Sequence, residues 1–406
     1  MQRVVRMIQN NPSENRRPVR LCIMATVPSI IVEFYGRQID FLIEQGFDVT
    51  VITSLDKELE KDISRKARLI IIPMTRYISP YQDLLTLIRL INCIRKGAFD
   101  IVQYSSPKAA LLGSIAAWIC RVPVRLYLMW GLYYSAQRGF KRSFFKGVEM
   151  VICFFSTHVS PDSKGNLFFA VGEKLCSISK MSVVGNGSAN GVDLQRFDPQ
   201  RLKSKRIDIR NYLHIPNDAI VVGFVGRITK DKGIAELLKV FISLKNKYPK
   251  LYLILVGPEE DNRSVYPVEI STVFFQEKRV ICVGRQKYPE DYMSAMDIFV
   301  LPSYREGFGV VSIEASAMEL PVISTDIPGP REAVVNGKTG TLIKPKSVDD
   351  LQSSMEIMLN DPYLCRNMGL AGREWAKHFD QKSLWEQIVI HRKTLLCKKT
   401  SKNLNC

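Results

Sequence analysis

Two carboxylates, Glu306 and Glu314, stand in an E-x7-E arrangement within PSYREGFGVVSIEASA, divided by the turn Gly307, Phe308, Gly309. The pattern predicts a strand over DIFVLP (297–302), a glycine turn, and a helix carrying Glu314. Backbone N–H groups at the start of such a helix can face an anion. A carboxylate beside an anion site is unfavourable unless it meets hydroxyls or a developing positive charge. The combination suits a ligand with both phosphates and hydroxyls, as a sugar nucleotide has. A lone E-x7-E also reads as solvated helix charge.

A second group of residues follows the predicted strand AIVVGFVG (219–226), where GRITKDKG places Gly226, Arg227 and Lys232 close to a helix start. Arginine offers a planar fork of donors and lysine a point charge, and the two together can neutralise a diphosphate. An isolated R-x4-K also reads as two surface cations. Arg285 occupies the loop after the predicted strand RVICVG (279–284). The four histidines are scattered without metal-ligand spacing, and the nine cysteines contain no CxxC. The sequence therefore predicts no metal site, no disulfide framework, and reduced thiols in a cytosolic compartment.

These residues need a scaffold, and 406 residues are too many for one ordinary core. Short apolar, β-rich runs alternate with helical patterns, the mark of an α/β fold with parallel sheets. In the first half the strands are RLCIMA, DVTVIT, LIIIP, DIVQYS, VRLYLM and THVS. In the second half, LYLILVG, PVISTD and TGTLIK join the strands already named. Helical runs ending at Gly46 and Gly97 have glycine stops. Each half forms a doubly wound, Rossmann-like unit, with GNGSANGVDLQRFDPQ as the linker. The expected domains are 1–195 and 196–380, facing across a cleft at the carboxyl ends of their strands. The last helical run, SLWEQIVIHRKTLLCKK within 381–406, is expected to pack back on the first domain.

The N-terminal segment lacks the apolar run of a signal peptide. AALLGSIAAWIC (109–120) is the longest uncharged apolar stretch and falls short of the roughly 20 residues of a membrane span. No membrane crossing is expected. The net charge of +17 concentrates in part between Ile101 and Gly147, where Lys108, Arg121, Arg125, Arg138, Lys141, Arg142 and Lys146 occur without an acid. Aromatic residues interleave there, as in RLYLMWGLYY and RGFKRSFFKG. No nucleic-acid-binding motif accompanies them. The pattern over 121–146 fits an anionic membrane face, or an ordinary solvated surface with core aromatics.

GRITKDKG, LILVG and PSYREGFGVVSIEASAMELPVISTDIPGPREAV, in this order, closely resemble the family-4 retaining glycosyltransferases of the GT-B fold. The E-x7-E signature matches Glu306 through Glu314, and the G-R-x4-K-G element matches Gly226 to Gly233. The resemblance implies that Arg227 and Lys232 hold the donor's diphosphate and stabilise the departing nucleoside diphosphate. It implies that Glu306 faces the donor sugar, Glu314 the ribose, Arg285 the base, and that the N–H groups of Gly307, Phe308 and Gly309 face the sugar or phosphate. FDIVQYSSPKAALLGSIAAWICRVPVRLYLMWGL resembles the polysaccharide-assembly branch (capsule and O-antigen).

The implied reaction moves a sugar from a UDP- or GDP-linked donor to a saccharide acceptor, lipid-linked, with retention and without a metal or other cofactor. It would take place at the inner face of the cytoplasmic membrane. Lys108, Trp130 and Arg138 are the acceptor-side candidates. Relatives often carry a histidine where this chain has Trp130, which cannot transfer a proton. A sugar-nucleotide epimerase of the same fold and a non-catalytic sugar-nucleotide-binding subunit are the alternatives.

Overall fold

Nearly continuous apolar runs become strands buried on both faces, as parallel sheets sandwiched by helices require. The computed structural model describes residues 17–56, 63, 66–75, 77–259 and 276–403. They divide into two units. The first runs to Asp162 and adds Asn166–Asn190 and the stretch from Lys382; the second holds Ser163–Gly165 and Gly191–Gln381.

Unit 1 contains β1 (Val19–Met24), β2 (Phe47–Thr53), β3 (Arg68–Ile71), β4 (Ile101–Tyr104), β5 (Val124–Met129) and β6 (His158–Pro161). They form one parallel sheet in the order β3-β2-β1-β4-β5-β6. Side chains alternate across it: Leu21, Ile23 and Ala25 enter one core and Cys22 and Met24 the other. The Cys22 side is covered by α2 (Pro80–Gly97), α3 (Pro107–Ile119) and α4 (Gly139–Phe155), through Leu90, Ala109 and Ile152. The opposite side is covered by α1 (Pro28–Glu44), through Ile31 and Tyr35, and by the C-terminal helix α11 (Gln381–Asn403), through Val389. Each large aliphatic side chain buried in this way stabilises by about 1.5–3 kcal/mol relative to exposure.

Two features of unit 1 differ from the sequence expectation. Gly97 is the last helical residue of α2, and Ala98 takes the left-handed conformation at φ 44°. Gly97 is required for space instead: a Cβ there would strike the Phe99 ring. The stretch 121–146 is also not one surface. Tyr127 is a core residue because β5 lies between β4 and β6 in a sheet covered on both faces, and Tyr134, in the helical turn that follows β5, is buried in the same core. Four of the basic residues between Ile101 and Gly147 are committed internally. Lys108 pairs with Asp83, Arg142 and Lys146 with Glu173, and Arg125 donates to the carbonyls of Phe155 and Val122. The apolar side chains that face solvent lie mostly on the outer stripe of α4. Phe140 (82% exposed), Phe144, Met150, Val151 and Phe154 (73%) lie along it, with Arg138 and Lys141 at its start.

Unit 2 contains β7 (Ile220–Val225), β8 (Leu251–Val256), β9 (Val280–Cys282), β10 (Ile298–Leu301), β11 (Val322–Thr325) and β12 (Gly340–Ile343). These form a second parallel sheet in the order β12-β11-β10-β7-β8-β9. Its longer helices are α5 (Lys203–Tyr212), α6 (Ile234–Leu244), α7 (Pro289–Ser294), α8 (Val310–Ala317), α9 (Val348–Asn360) and α10 (Pro362–Ala376). One core joins them, from Leu237 and Phe241 of α6 to Ile313 of α8 and Met355 of α9. Among the described residues no helix is long and apolar enough to cross a membrane.

Candidate active site

In unit 2 the strand order reverses direction between β7 and β10, which are hydrogen-bonded neighbours. In open parallel sheets a ligand site forms at the carboxyl ends of the strands at such a switch point. The loops that leave β7 and β10 are GRITKDKG and PSYREGFG, the two segments that carry the candidate residues.

Gly233 makes their approach possible. Its φ is 72°, and a Cβ there would collide with the Pro302 carbonyl oxygen at the end of β10. Tyr304 N–H then donates to the Asp231 carbonyl oxygen at 2.8 Å, and Tyr304 Oη donates to Glu236 at 2.6 Å. This seam brings Lys232 Nζ to 2.6 Å from Glu306 Oε1, which also accepts from Ser303 Oγ at 2.8 Å. The Lys232 and Glu306 side chains retain 16% and 12% of their exposure. The switch point thus holds a largely desolvated ion pair at the mouth of a glycine-opened helix.

Asp231 is a centre the sequence reading missed. Burial pushes its carboxyl up, but the hydrogen bond from Thr229 and the charges of Arg305, Lys232 and Arg227 outweigh that and hold it below the usual range. Arg305 pairs with Asp231 at 2.8 Å. Three cations therefore act on one carboxylate at the end of β7, and the exposed Arg227 is among them. The local signal was present in the alternation of charge in TKDK and in Arg305 preceding Glu306. Nothing local indicated that the two segments meet.

Gly309 opens α8 at φ 79°, with Phe308 buried behind it against Phe379. Glu314 lies one turn inside α8. Burial raises its carboxyl to about 7, Arg196 opposes the rise, and Glu290 adds to it. Arg196 is largely occupied elsewhere, since its fork grips both oxygens of the buried Glu290 at 2.7 Å. Arg196 comes from the linker segment and Glu290 from α7, and neither was singled out in the sequence. Arg285 follows Gly284 at the end of β9 and is exposed. Gly226, at φ 153°, leads out of β7.

The acceptor-side candidates occupy unit 1. Lys108 Nζ is held by Asp83 at 2.7 Å, Thr75 at 3.1 Å and the Tyr77 carbonyl, so it fastens α3 to the start of α2. Trp130 packs between rings, with centroids 5.0 Å from Phe34 and 5.2 Å from Tyr35. Arg138 precedes α4 and is exposed. Among the described residues no hydrogen bond, ion pair or ring contact joins these three.

Known proteins share both the sequence and the fold. Residues 205–375 match the family described as Glycosyl transferases group 1, and residues 20–157 match Glycosyl transferase 4-like. The Staphylococcus aureus capsular polysaccharide biosynthesis glycosyltransferase CapM is 34% identical over 363 residues, 88% of this chain and 93% of CapM. An Escherichia coli α-1,3-galactosyltransferase, named for UDP-Gal and GlcNAc-diphosphoundecaprenol, is 27% identical over 372 residues, 88% of this chain and 93% of that one. In structure the chain is similar to Anabaena HepE, solved in complex with UDP and glucose. The TM-score is 0.78 at 18% identity, covering 93% of this chain and all of HepE. The switch-point seam, the two family matches and the near full-length likeness to CapM agree, and the chain belongs to the family-4 glycosyltransferases of the GT-B fold, in the branch that assembles surface polysaccharides.

Proposed function

We propose that this glycosyltransferase takes a sugar from a nucleoside diphosphate donor and passes it, with retention of anomeric configuration and without a metal ion, to a saccharide carried on a lipid. The observation that carries the donor half is the Lys232–Glu306 pair at 2.6 Å, set at the β7/β10 switch point beside the helix opened by Gly309. A diphosphate arriving there competes with Glu306 for Lys232, and Arg227 supplies a second cation. Glu306, relieved of its partner, then faces the sugar. As the bond from the anomeric carbon to the phosphate oxygen breaks, the charge that grows on the leaving diphosphate is met by Arg227, Lys232 and the N–H groups of Gly307, Phe308 and Gly309. Glu314, with a carboxyl near 7, can both donate to and accept from ribose hydroxyls. Arg285 lies at the strand end suited to the base.

The lipid-linked acceptor is supported by relatives named for diphosphoundecaprenol-linked sugars. It is also supported by the outer face of α4, where Phe140, Phe144 and Phe154 are exposed beside Arg138 and Lys141. Apolar side chains with flanking cations suit the anionic, cytoplasmic leaflet of a membrane.

The decisive experiment incubates the purified chain with UDP- and GDP-sugars, with and without a lipid-diphosphate-linked acceptor, with and without a chelator. Acceptor-dependent release of nucleoside diphosphate and a product linkage of the donor's own anomeric form are expected. Conversion of the donor alone would indicate an epimerase; donor binding without turnover would indicate a binding subunit. For the membrane surface, co-sedimentation with anionic vesicles should exceed that with neutral ones at low salt and fall in a Phe140→Ser/Phe144→Ser variant. Equal binding to both vesicle types refutes it.

A further inference from the structure

Arg392, on α11, is buried to 2% exposure in unit 1, and among the described residues no carboxylate lies within ion-pairing distance of it. Its Nε donates to Gln103 Oε1 at 2.9 Å, while its Nη1 has no hydrogen-bond partner. Burial lowers its pKa to about 10, so the guanidinium remains charged at neutral pH. An uncompensated buried charge of this kind costs several kcal/mol. Three more buried polar atoms lie beside it, Tyr35 Oη, Gln103 Nε2 and Ser105 Oγ, and they have only one another as partners. Ser105 and Gln103 flank the Tyr35 hydroxyl, and Arg392 acts on it electrostatically.

The chemistry of this set is one-sided. Arg392 Nη1 and Gln103 Nε2 can only donate, since the Gln103 oxygen is already used by Arg392; the Tyr35 and Ser105 hydroxyls can donate as well. A cavity of about 30 Å³ adjoins the group, with Tyr35, Trp130, Ser160, Asp162, His391 and Arg392 in its wall. That volume suits one or two small species, since a single water needs about 10–15 Å³. Asp162, the carboxylate in the wall, accepts from Asn166 Nδ2 at 3.0 Å. Water would satisfy the donors but leave the charge unbalanced.

We infer that unit 1 binds a small monovalent anion of halide size between Arg392, Tyr35 and the adjoining cavity, and that this anion fastens α11 to the β4 side of the sheet. The site is separate from the switch-point loops of unit 2 and independent of the reading of the reaction.

The test uses the full-length chain with chloride and bromide as probes. Thermal unfolding is followed in sodium chloride, bromide and gluconate at constant ionic strength, and crystals soaked in bromide are measured at its absorption edge. A saturable rise of the midpoint with halide is expected, with an anomalous peak beside Arg392. Arg392→Met should abolish the halide dependence, and Tyr35→Phe, which keeps the ring packing, should raise the half-saturating concentration roughly tenfold for the loss of one hydrogen bond to a charge. A site holding only water gives no anomalous peak and the same midpoint in gluconate as in chloride, and either result overturns the inference. So does halide dependence that survives Arg392→Met.

Discussion

Replacing Lys232 by Met separates the electrostatics of the switch point from its chemistry. The pair joins side chains that keep 16% and 12% of their exposure, at 2.6 Å. Breaking a fully buried pair from one side costs about 3–5 kcal/mol, because the remaining charge is left desolvated. Here the cost is smaller, since Ser303 Oγ still donates to Glu306 Oε1 and some solvent reaches both groups. About 2 kcal/mol of destabilisation is the expectation for Lys232→Met. Glu306→Gln alone strands Lys232, whose longer stem can swing to water, and should cost about 1 kcal/mol. In the double variant no charge is stranded, so the loss should be clearly less than the sum, with a coupling energy of about 1–2 kcal/mol. Urea unfolding of the four proteins measures this, following a probe in unit 2 because two units need not unfold together. All three variants should lose transfer activity, including the double variant whose stability recovers. Additive losses would refute the reasoning, because they would mean that the pair is too well solvated to matter.

Three further outcomes follow from the same structure. Glu149 is buried and receives the Tyr127 hydroxyl at 2.8 Å; burial raises its carboxyl to about 7. The folded state therefore holds a proton that the unfolded state releases between about pH 4.5 and 7, and stability falls as pH rises through that window. Glu149→Gln keeps an acceptor for Tyr127 and should be more stable than the parent at pH 8, by on the order of 2 kcal/mol, with the advantage gone at pH 5 in urea titrations. Ser182 Oγ stands between His158 Nε2 at 2.7 Å and His391 Nε2 at 3.1 Å. Burial, then Lys398 and Lys180, lower His158 to about 4, and burial, then His158, Arg392 and Lys398, lower His391 to about 3. The unfolded chain takes up protons that the fold refuses, so stability falls as pH drops below about 6.5; His391→Asn should flatten that slope, measured as urea midpoint against pH. Gly233→Ala puts a Cβ into the Pro302 carbonyl at φ 72°, and should cost about 2–4 kcal/mol and weaken nucleotide binding, checked by urea unfolding and nucleotide titration.

Much of the fold was legible because a strand buried on both faces declares itself by composition alone. VRLCIM, IVVGFV and LYLILV needed no partner to be recognised. The segments carrying the site were legible for a similar reason: glycine turns and charges at strand ends are local features. What stayed hidden was pairing at a distance. Lys232 and Glu306 are brought together by strand order and by Gly233, neither of which shows in a local window. The basic stretch was ambiguous for the same reason. Its acids, Asp83 and Glu173, lie outside it, and they neutralise Lys108, Arg142 and Lys146. The surface that remains is narrower than the sequence implied, and more apolar: the outward stripe of α4 rather than the whole segment.

Glu306 and Glu314 belong to one signature but live in different electrostatic settings, and their neighbours explain why. Glu306 sits on a loop with its own lysine, an arrangement that a bound phosphate can exchange for another. Glu314 sits inside a helix, buried, with Arg196 in range but already forked onto Glu290. Burial is what chiefly lifts Glu314 to about 7; Arg196 opposes the rise and Glu290 adds to it. A carboxyl poised there can give a proton to one hydroxyl and accept from another, which a carboxylate fixed by a cation cannot. The linker residue Arg196 therefore reaches the candidate nucleotide site beside α7, and the difference between the two glutamates comes first from the burial of Glu314 and then from how Arg196 is shared with Glu290.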